Sequence, residues 1–249
     1  MAPIGEPFVV LDSVDSTNIH AMQLASRQEV GHGTVFFAHT QTAGKGQWGR
    51  SWDAQTGSSI LLSAVVDPAY IQGSTRFHLS MAAALAGIAL LRELHCGEAL
   101  IKWPNDLYWH DRKAGGILIE HAVRGGLCRH SVIGMGINLN QSSFDPSLPN
   151  PVSVFQATGI RNDPVLQARR LCQLLEAEWR RLASGAYDAV VSDYNERLFG
   201  KGRPMAFRAA NVRFSGIIEG VDAEGIITVG RPLPTSYRHG ELEFILSER

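Results

Sequence analysis

Between Leu100 and Asn140 the chain must reverse direction several times within a few residues, and this restricts its fold more than any other feature. Apolar runs are expected as strands over Leu100–Trp103, Leu107–Trp109, Gly115–Val123 and Leu127–Asn140. They are separated by His110-Asp111-Arg112 and Arg124-Gly125-Gly126. Links this short join antiparallel neighbours, because a parallel crossover needs about a dozen residues or more. Further strands are expected at Phe8–Leu11, Thr34–Thr40 and Ile60–Val66.

Helices alternate with these strands. One starts near Ile19, with Asp15, Ser16 or Thr17 as its cap. Thr75–His95 carries a wide apolar stripe through Leu79, Leu85, Ile88 and Leu94, and its many alanines suit close packing on a sheet. Asp163-Pro164 opens another helix with its face on Leu171, Leu175, Trp179 and Leu182, and Tyr187–Leu198 follows. Arg169, Arg170, Arg180 and Arg181 are expected on a solvated face. From Arg203 the texture changes to short strands at Pro204–Ala209, Val212–Glu219, Gly225–Val229 and Leu242–Leu246, which suggests a small β-barrel. The domain boundary is placed near Gly200, giving domains 1–200 and 201–249.

The chain has 249 residues and a formal net charge of −1, with no basic block to meet nucleic acid. Its three cysteines, Cys96, Cys128 and Cys172, lie far apart without C-x-x-C spacing, which argues against a zinc site and fits a reducing, cytoplasmic setting. No signal peptide is visible, and the longest apolar stretch, Met81–Leu91, is too short to cross a bilayer.

Thr40–Trp52 joins glycines, positive charge and flat rings. Gly44, Gly46 and Gly49 allow tight turning and close approach to a ligand, Lys45 and Arg50 suit an anion, and Trp48 and Trp52 offer faces for a ring. The spacing also fits the dinucleotide fingerprint G-x-G-x-x-G, which requires a helix directly after it. Here Gly57 and its serines follow, so the match is accidental. Polar or glycine clusters also interrupt the meander at Lys102-Trp-Pro-Asn-Asp106, Arg112-Lys-Ala-Gly-Gly116 and Gly134-Met-Gly-Ile-Asn138. Each alone reads as a bulge or tight turn. Together with the loop, and with surplus hydroxyls at Asp15-Ser-Thr-Asn18, they point to one concave site.

These clusters, taken in order, resemble the biotin protein ligases, also called biotin–[acetyl-CoA-carboxylase] ligases. The resemblance runs through Asp15–Asn18, the loop from Gln41 to Trp52, Lys102–Asp106, Arg112-Lys113 with Gly115–Glu120, and Ile133–Asn138. It implies an α+β catalytic domain of the class II synthetase-like kind, with a mixed, largely antiparallel sheet flanked by helices, and an SH3-like C-terminal barrel.

It further implies that biotin attacks the α-phosphate of MgATP to give biotinyl-5′-AMP, and that a lysine of a biotin carboxyl carrier domain then takes the biotinyl group. Lys113, Arg50 and Lys45 match the catalytic cations, which suits a reaction between two anions. Biotin contacts are implied for Ser16, Thr17, Asn18, Gln41, Lys45, Gly46, Gln47, Lys113, Gly115, Gly134 and Gly136. ATP or adenylate contacts are implied for Gly44, Lys45, Gln47, Arg50, Trp52, Lys102, Asn105, Asp106, Lys113 and Asn138. Metal ligands stay unassigned, since phosphate and water supply much of a Mg2+ shell.

Two features depart from the family. Its loop often carries arginine at Lys45 and more basic residues at Gln47 and Trp48; lysine keeps the charge and loses bidentate geometry. Some members also carry an N-terminal winged helix-turn-helix, and the first motif here begins by Asp15, so neither nucleic acid nor membrane is expected as a partner. Exposed strands are available for a homodimer. A lipoate or octanoate ligase or transferase of the same fold is the alternative enzyme, although no cysteine falls in a cluster. A non-catalytic binding module would lack a lysine such as Lys113.

Overall fold

The computed structural model describes residues 1–71, 73, 75–124, 127–230 and 233–246. A seven-stranded sheet forms the main body, with β1 (Phe8–Val14), β2 (Val35–Gln41), β3 (Ser59–Val66), β4 (Ala99–Lys102), β5 (Asp106–Trp109), β6 (Arg112–Arg124) and β7 (Leu127–Asn138) in the order β1-β2-β3-β7-β6-β5-β4. Only β1 and β2 pair in parallel, across the helix α1 (Thr17–Ser26). The other pairs are antiparallel, as the short turns require. The expected turn at Gly125-Gly126 lies outside the described residues.

Strand register sorts the side chains onto two faces. Ile60, Leu62 and Ala64 pair with Ile137, Met135 and Ile133, and these continue across β6 to Ile117 and Ile119. This face carries the large core, covered by α2 (Arg76–Glu93) and α4 (Pro164–Ala183), with α5 (Tyr187–Glu196) beside them. The helix α2 packs closely: Ala82, Ala83, Ala84 and Ala86 are fully buried, and a Cβ added at Gly87 would lie 2.5 Å from Leu107 Cδ1. The opposite face has only a small cluster of Ala21, Ala25, Phe36, Val65 and Val132 under α1, which leaves room beside it. Hydrophobic burial therefore anchors one side of the sheet and leaves the other for polar work.

A second antiparallel sheet contains β8 (Pro204–Ala209), β9 (Val212–Val221), β10 (Ile227–Gly230), β11 (Thr235–Tyr237) and β12 (Glu243–Ile245), in the order β11-β10-β9-β8-β12. The fold is thus α+β with a small SH3-like C-terminal sheet. Alternation alone did not signal β11, whose three residues are too few to establish a period. Nor did it signal α3 (Val154–Thr158), a single capped turn. Gly225 belongs to a turn, with φ of 81°, so β10 begins later than expected. Ala210 and Asn211 both have positive φ, as a tight hairpin demands. The arginines of α4 mainly serve ion pairs: Arg170 with Glu93, Arg180 with Glu176, and Arg181 with Glu178 and Asp193. Arg169 lies over the Phe8 ring.

The N-terminus of α2 joins the two sheets. The Thr75 hydroxyl donates to the Ala223 carbonyl, Trp103 Nε1 donates to the Gly225 carbonyl at 3.0 Å, and a Cβ at Gly225 would lie 2.4 Å from the Phe77 ring. His78 Nδ1 accepts the Thr75 N–H at 2.9 Å, completing a capping box. Burial lowers the His78 pKa, opposed by Glu224 and Asp188. The neutral ring therefore favours folding above the ordinary histidine value of about 6.5, and that contribution is lost as pH falls below it. The thermal midpoint should drop between pH 7.5 and 5.5, and by less in His78→Gln. An equal drop in both would exclude His78 as the cause.

Candidate active site

The site lies on the lightly covered face, beside the N-terminus of α1. Register places Asp106, Gly116 and Gly136 with Leu61 in one row, and Leu118, Gly134 and Ser63 in the next. The missing side chains at Gly116, Gly134 and Gly136 lower the floor of the sheet. A Cβ at Gly134 would lie 2.2 Å from Asn18 Oδ1, and one at Gly136 would lie 2.5 Å from the Trp52 ring. Real Cβ contacts do not come this close, so the position of each neighbour depends on glycine.

Asn18 and Thr17 form a buried polar group at one end. Ser63 Oγ lies 2.7 Å from both Thr17 Oγ1 and Asn18 Oδ1. Asn18 Nδ2 donates to Glu120 Oε2 at 2.9 Å, and Thr17 Oγ1 donates to Gln41 Oε1 at 3.0 Å. Ser16 occupies the N-cap position, yet its side chain makes no cap hydrogen bond. The expectation of side-chain capping by Asp15, Ser16 or Thr17 is therefore corrected. Gln41 accepts the Thr17 N–H at 2.8 Å, and Ser16 lines the cavity.

At the other end Lys113 Nζ contacts Asp106 Oδ1 at 2.6 Å and lies 5.7 Å from the centre of the Trp52 ring. Strict alternation from Gly116 would turn Lys113 to the core. A bulge opposite Leu107 and Tyr108 adds a residue and returns Lys113 to the face of Asp106. Trp52 Nε1 is buried and has no hydrogen-bond partner among the described residues, which leaves a donor for a ligand acceptor.

The loop from Gly44 to Trp52 roofs this floor. Gly46 N–H donates to the Arg50 carbonyl at 2.7 Å, and Trp52 N–H donates to the Gly44 carbonyl at 2.9 Å. A Cβ at Gly44 would lie 2.3 Å from the Trp52 carbonyl oxygen, so glycine is required there, while Gly49 has a φ of 74°. Gly46 meets neither demand. A single 3-10 turn, Gln47–Gly49, stands where a dinucleotide fold would start its helix, in keeping with an accidental match to that fingerprint. The cavity between floor and loop holds about 60 Å3 of water-accessible space and is partly open to solvent.

Among the expected residues, Ser16, Thr17, Asn18, Gln41, Lys45, Gly46, Gln47, Trp52, Asn105, Asp106, Lys113, Gly134 and Gly136 line this cavity. Gly44 is outside the lining and closes the loop through its carbonyl, which accepts the Trp52 N–H. Arg50 is exposed on the loop outside the lining. Gly115 faces the core, where a Cβ would meet the Gly136 carbonyl at 2.8 Å and Leu107 at 3.2 Å. Gly116 is the glycine on the ligand face, and counting by twos from Gly136 across the hairpin could have found it. Asn138 is engaged elsewhere, with Nδ2 donating to the Val152 carbonyl and Oδ1 accepting from Gln141. Lys102 also stands outside the lining. Its Nζ lies 5.3 Å from the Tyr108 ring centre and 5.0 Å from that of Phe244, and burial lowers its pKa.

No cysteine lines the cavity. Burial raises the Cys96 thiol to about 11 and the Cys172 thiol to about 12, so neither is a ready nucleophile. Among the described residues no group of three or more His, Cys, Asp and Glu is placed to hold a metal, and no helix is long and apolar enough to cross a membrane.

Residues 10–138 match the model of the biotin/lipoate A/B protein ligase family. The chain belongs to this family. It is 31% identical over 233 residues to the biotin–[acetyl-CoA-carboxylase] ligase of Paracoccus denitrificans, covering 90% of this chain and 94% of that protein. It is 29% identical over 227 residues to the bifunctional ligase/repressor BirA of Bacillus subtilis, covering 90% and 69% of the two chains. The biotin protein ligase of Aquifex aeolicus, solved with biotin and ATP, superposes with a TM-score of 0.81 over 96% of this chain and 99% of that one, at 21% identity, and so shares the fold.

The glycine floor predicts a spectroscopic effect. Gly136→Ala should displace the Trp52 ring and shift the intrinsic fluorescence, and the same change made in a Trp52→Phe background should leave the spectrum unaltered. A shift of equal size in both backgrounds would show that Trp52 is not the ring displaced.

Proposed function

We propose that this chain is an ATP-dependent biotin protein ligase, which activates biotin as biotinyl-5′-AMP and transfers it to a lysine of a biotin carboxyl carrier domain. The observation that carries this reading is Lys113, held by a bulge between Asp106 and the Trp52 ring at the edge of a glycine floor. The family match and the named relatives support it.

In the first step a carboxylate oxygen of biotin bonds to the α-phosphorus of ATP, and the bond to pyrophosphate breaks. Both reactants are anionic, so fixed positive charge lowers the barrier. Lys113 spans the acid and the α-phosphate on this account, exchanging part of its contact with Asp106 for the ligand. Lys45 and Arg50 add charge from the loop, Arg50 reaching the ligand only as the loop moves. In the second step the carrier lysine amine attacks the acyl carbon, AMP leaves and the amine loses a proton.

Thr17, Asn18, Gln41 and Ser63 form a polar end that suits the ureido head of biotin, with Ser16 beside them. Gly134 and Gly136 let the flat ligand approach the sheet, and Gly116 joins them. Trp52, Asn105 and Asp106 stand on the nucleotide side. Mg2+ would arrive with ATP, its shell drawn mainly from phosphate and water, and Asp106 is the carboxylate in the cavity lining that could support it. Closure of the loop excludes water from the reactive anhydride. We read residues 1–200 as the catalytic domain and 201–249 as its accessory. The three free thiols support a cytoplasmic setting, and the near-neutral charge gives no reason for a nucleic-acid partner.

Pyrophosphate release from MgATP should depend on biotin and fall by at least about a hundredfold in Lys113→Ala, the scale of losing one preorganised charge at the reacting centre. Release driven by lipoate or octanoate would move the assignment to the lipoyl branch. Biotin binding without release would leave a binding module.

A further inference from the structure

Trp48 sits at the tip of the roofing loop, 74% exposed, with a φ of 57° that a bulky aromatic residue rarely adopts. Such a conformation persists when surrounding contacts hold it. Here the contact comes from the C-terminal sheet. Trp48 Nε1 donates to His239 Nε2 at 3.3 Å, the two rings meet edge to face at 5.4 Å, and Gly240 lies beside the indole. On its other side His239 meets Trp103 at 5.9 Å. Trp103 is buried and tied to the Gly225 carbonyl. A line of three rings thus runs from the loop tip through the C-terminal sheet to the main body.

We propose that His239 is a positioning residue that latches the Gly44–Trp52 loop through Trp48, and so sets how fast ligand enters and the activated intermediate escapes. The proposal deepens the ligase reading and rests on it for the identity of the intermediate. Lys45, Gly46, Gln47 and Trp52 roof the cavity from the same loop, so a tip fixed at Trp48 keeps the roof down. The latch requires a neutral imidazole as acceptor, a state favoured by the partial desolvation that lowers the His239 pKa, although the residue stays exposed overall.

Trypsin reads the latch directly, because it cuts after Lys45 and Arg50. In the free full-length protein, His239→Ala and Trp48→Phe should speed cleavage at these sites by about fivefold or more, the worth of one ordinary hydrogen bond, while His239→Gln, which keeps an acceptor, should stay near wild type. With adenylate formed in place, His239→Ala should release it about fivefold to tenfold faster, with the glutamine variant again close to wild type. Unchanged cleavage in both His239→Ala and Trp48→Phe overturns the latch. So does faster cleavage that tracks a lowered thermal midpoint equally in the alanine and glutamine variants, since that marks a general loss of structure. Faster cleavage with unchanged release overturns the role in retention. A wild-type protein that forms no adenylate refutes the ligase reading, and the trypsin result alone then decides the latch.

Discussion

The site depends on how closely atoms can approach the sheet where side chains are missing. Asn18 reaches Ser63 and Glu120 only because Gly134 has no Cβ, and Trp52 lies against β7 only because Gly136 has none. Remove that allowance and both ends of the site move at once, the polar end by way of α1 and the aromatic end by way of the loop. The same glycines weaken the strands locally, as glycine does. The cost is met by the opposite face, where β3, β6 and β7 pack tightly against α2 and α4.

Charge is arranged with similar economy. Lys113 is brought to the ligand face by a single bulge, and Asp106 holds it there at 2.6 Å. A lysine so placed is oriented before any ligand arrives, which reduces the reorganisation a reaction between anions would otherwise require. Lys102, two strands away on β4, sits against aromatic rings at the junction with the C-terminal sheet, so two lysines of one meander have different environments.

Much of this was legible in the sequence. Short turns dictated an antiparallel meander, the Ala-rich stripe of α2 anticipated its close packing, and polar clusters far apart in sequence converged on one face. What escaped the sequence depended on geometry it does not encode directly. The bulge at Ala114 shifts the alternation by one, so Gly115 and Gly116 exchange the faces that motif matching alone would give them. Asn138 and Lys102 fall in the right motifs, yet partners outside those motifs, Val152, Gln141 and Phe244, hold them off the cavity. The pairing of Trp48 with His239 spans most of the chain and has no local signature.

The most direct test of the account is a crystal structure with biotin and ATP or their adenylate bound. The account predicts the fused rings of biotin on the glycine floor of Gly134 and Gly136, with polar contacts to the Thr17–Asn18 end. It predicts Lys113 Nζ within hydrogen-bond reach of the acyl oxygen or α-phosphate. Biotin density away from this floor, with Lys113 still bound only to Asp106, would contradict it.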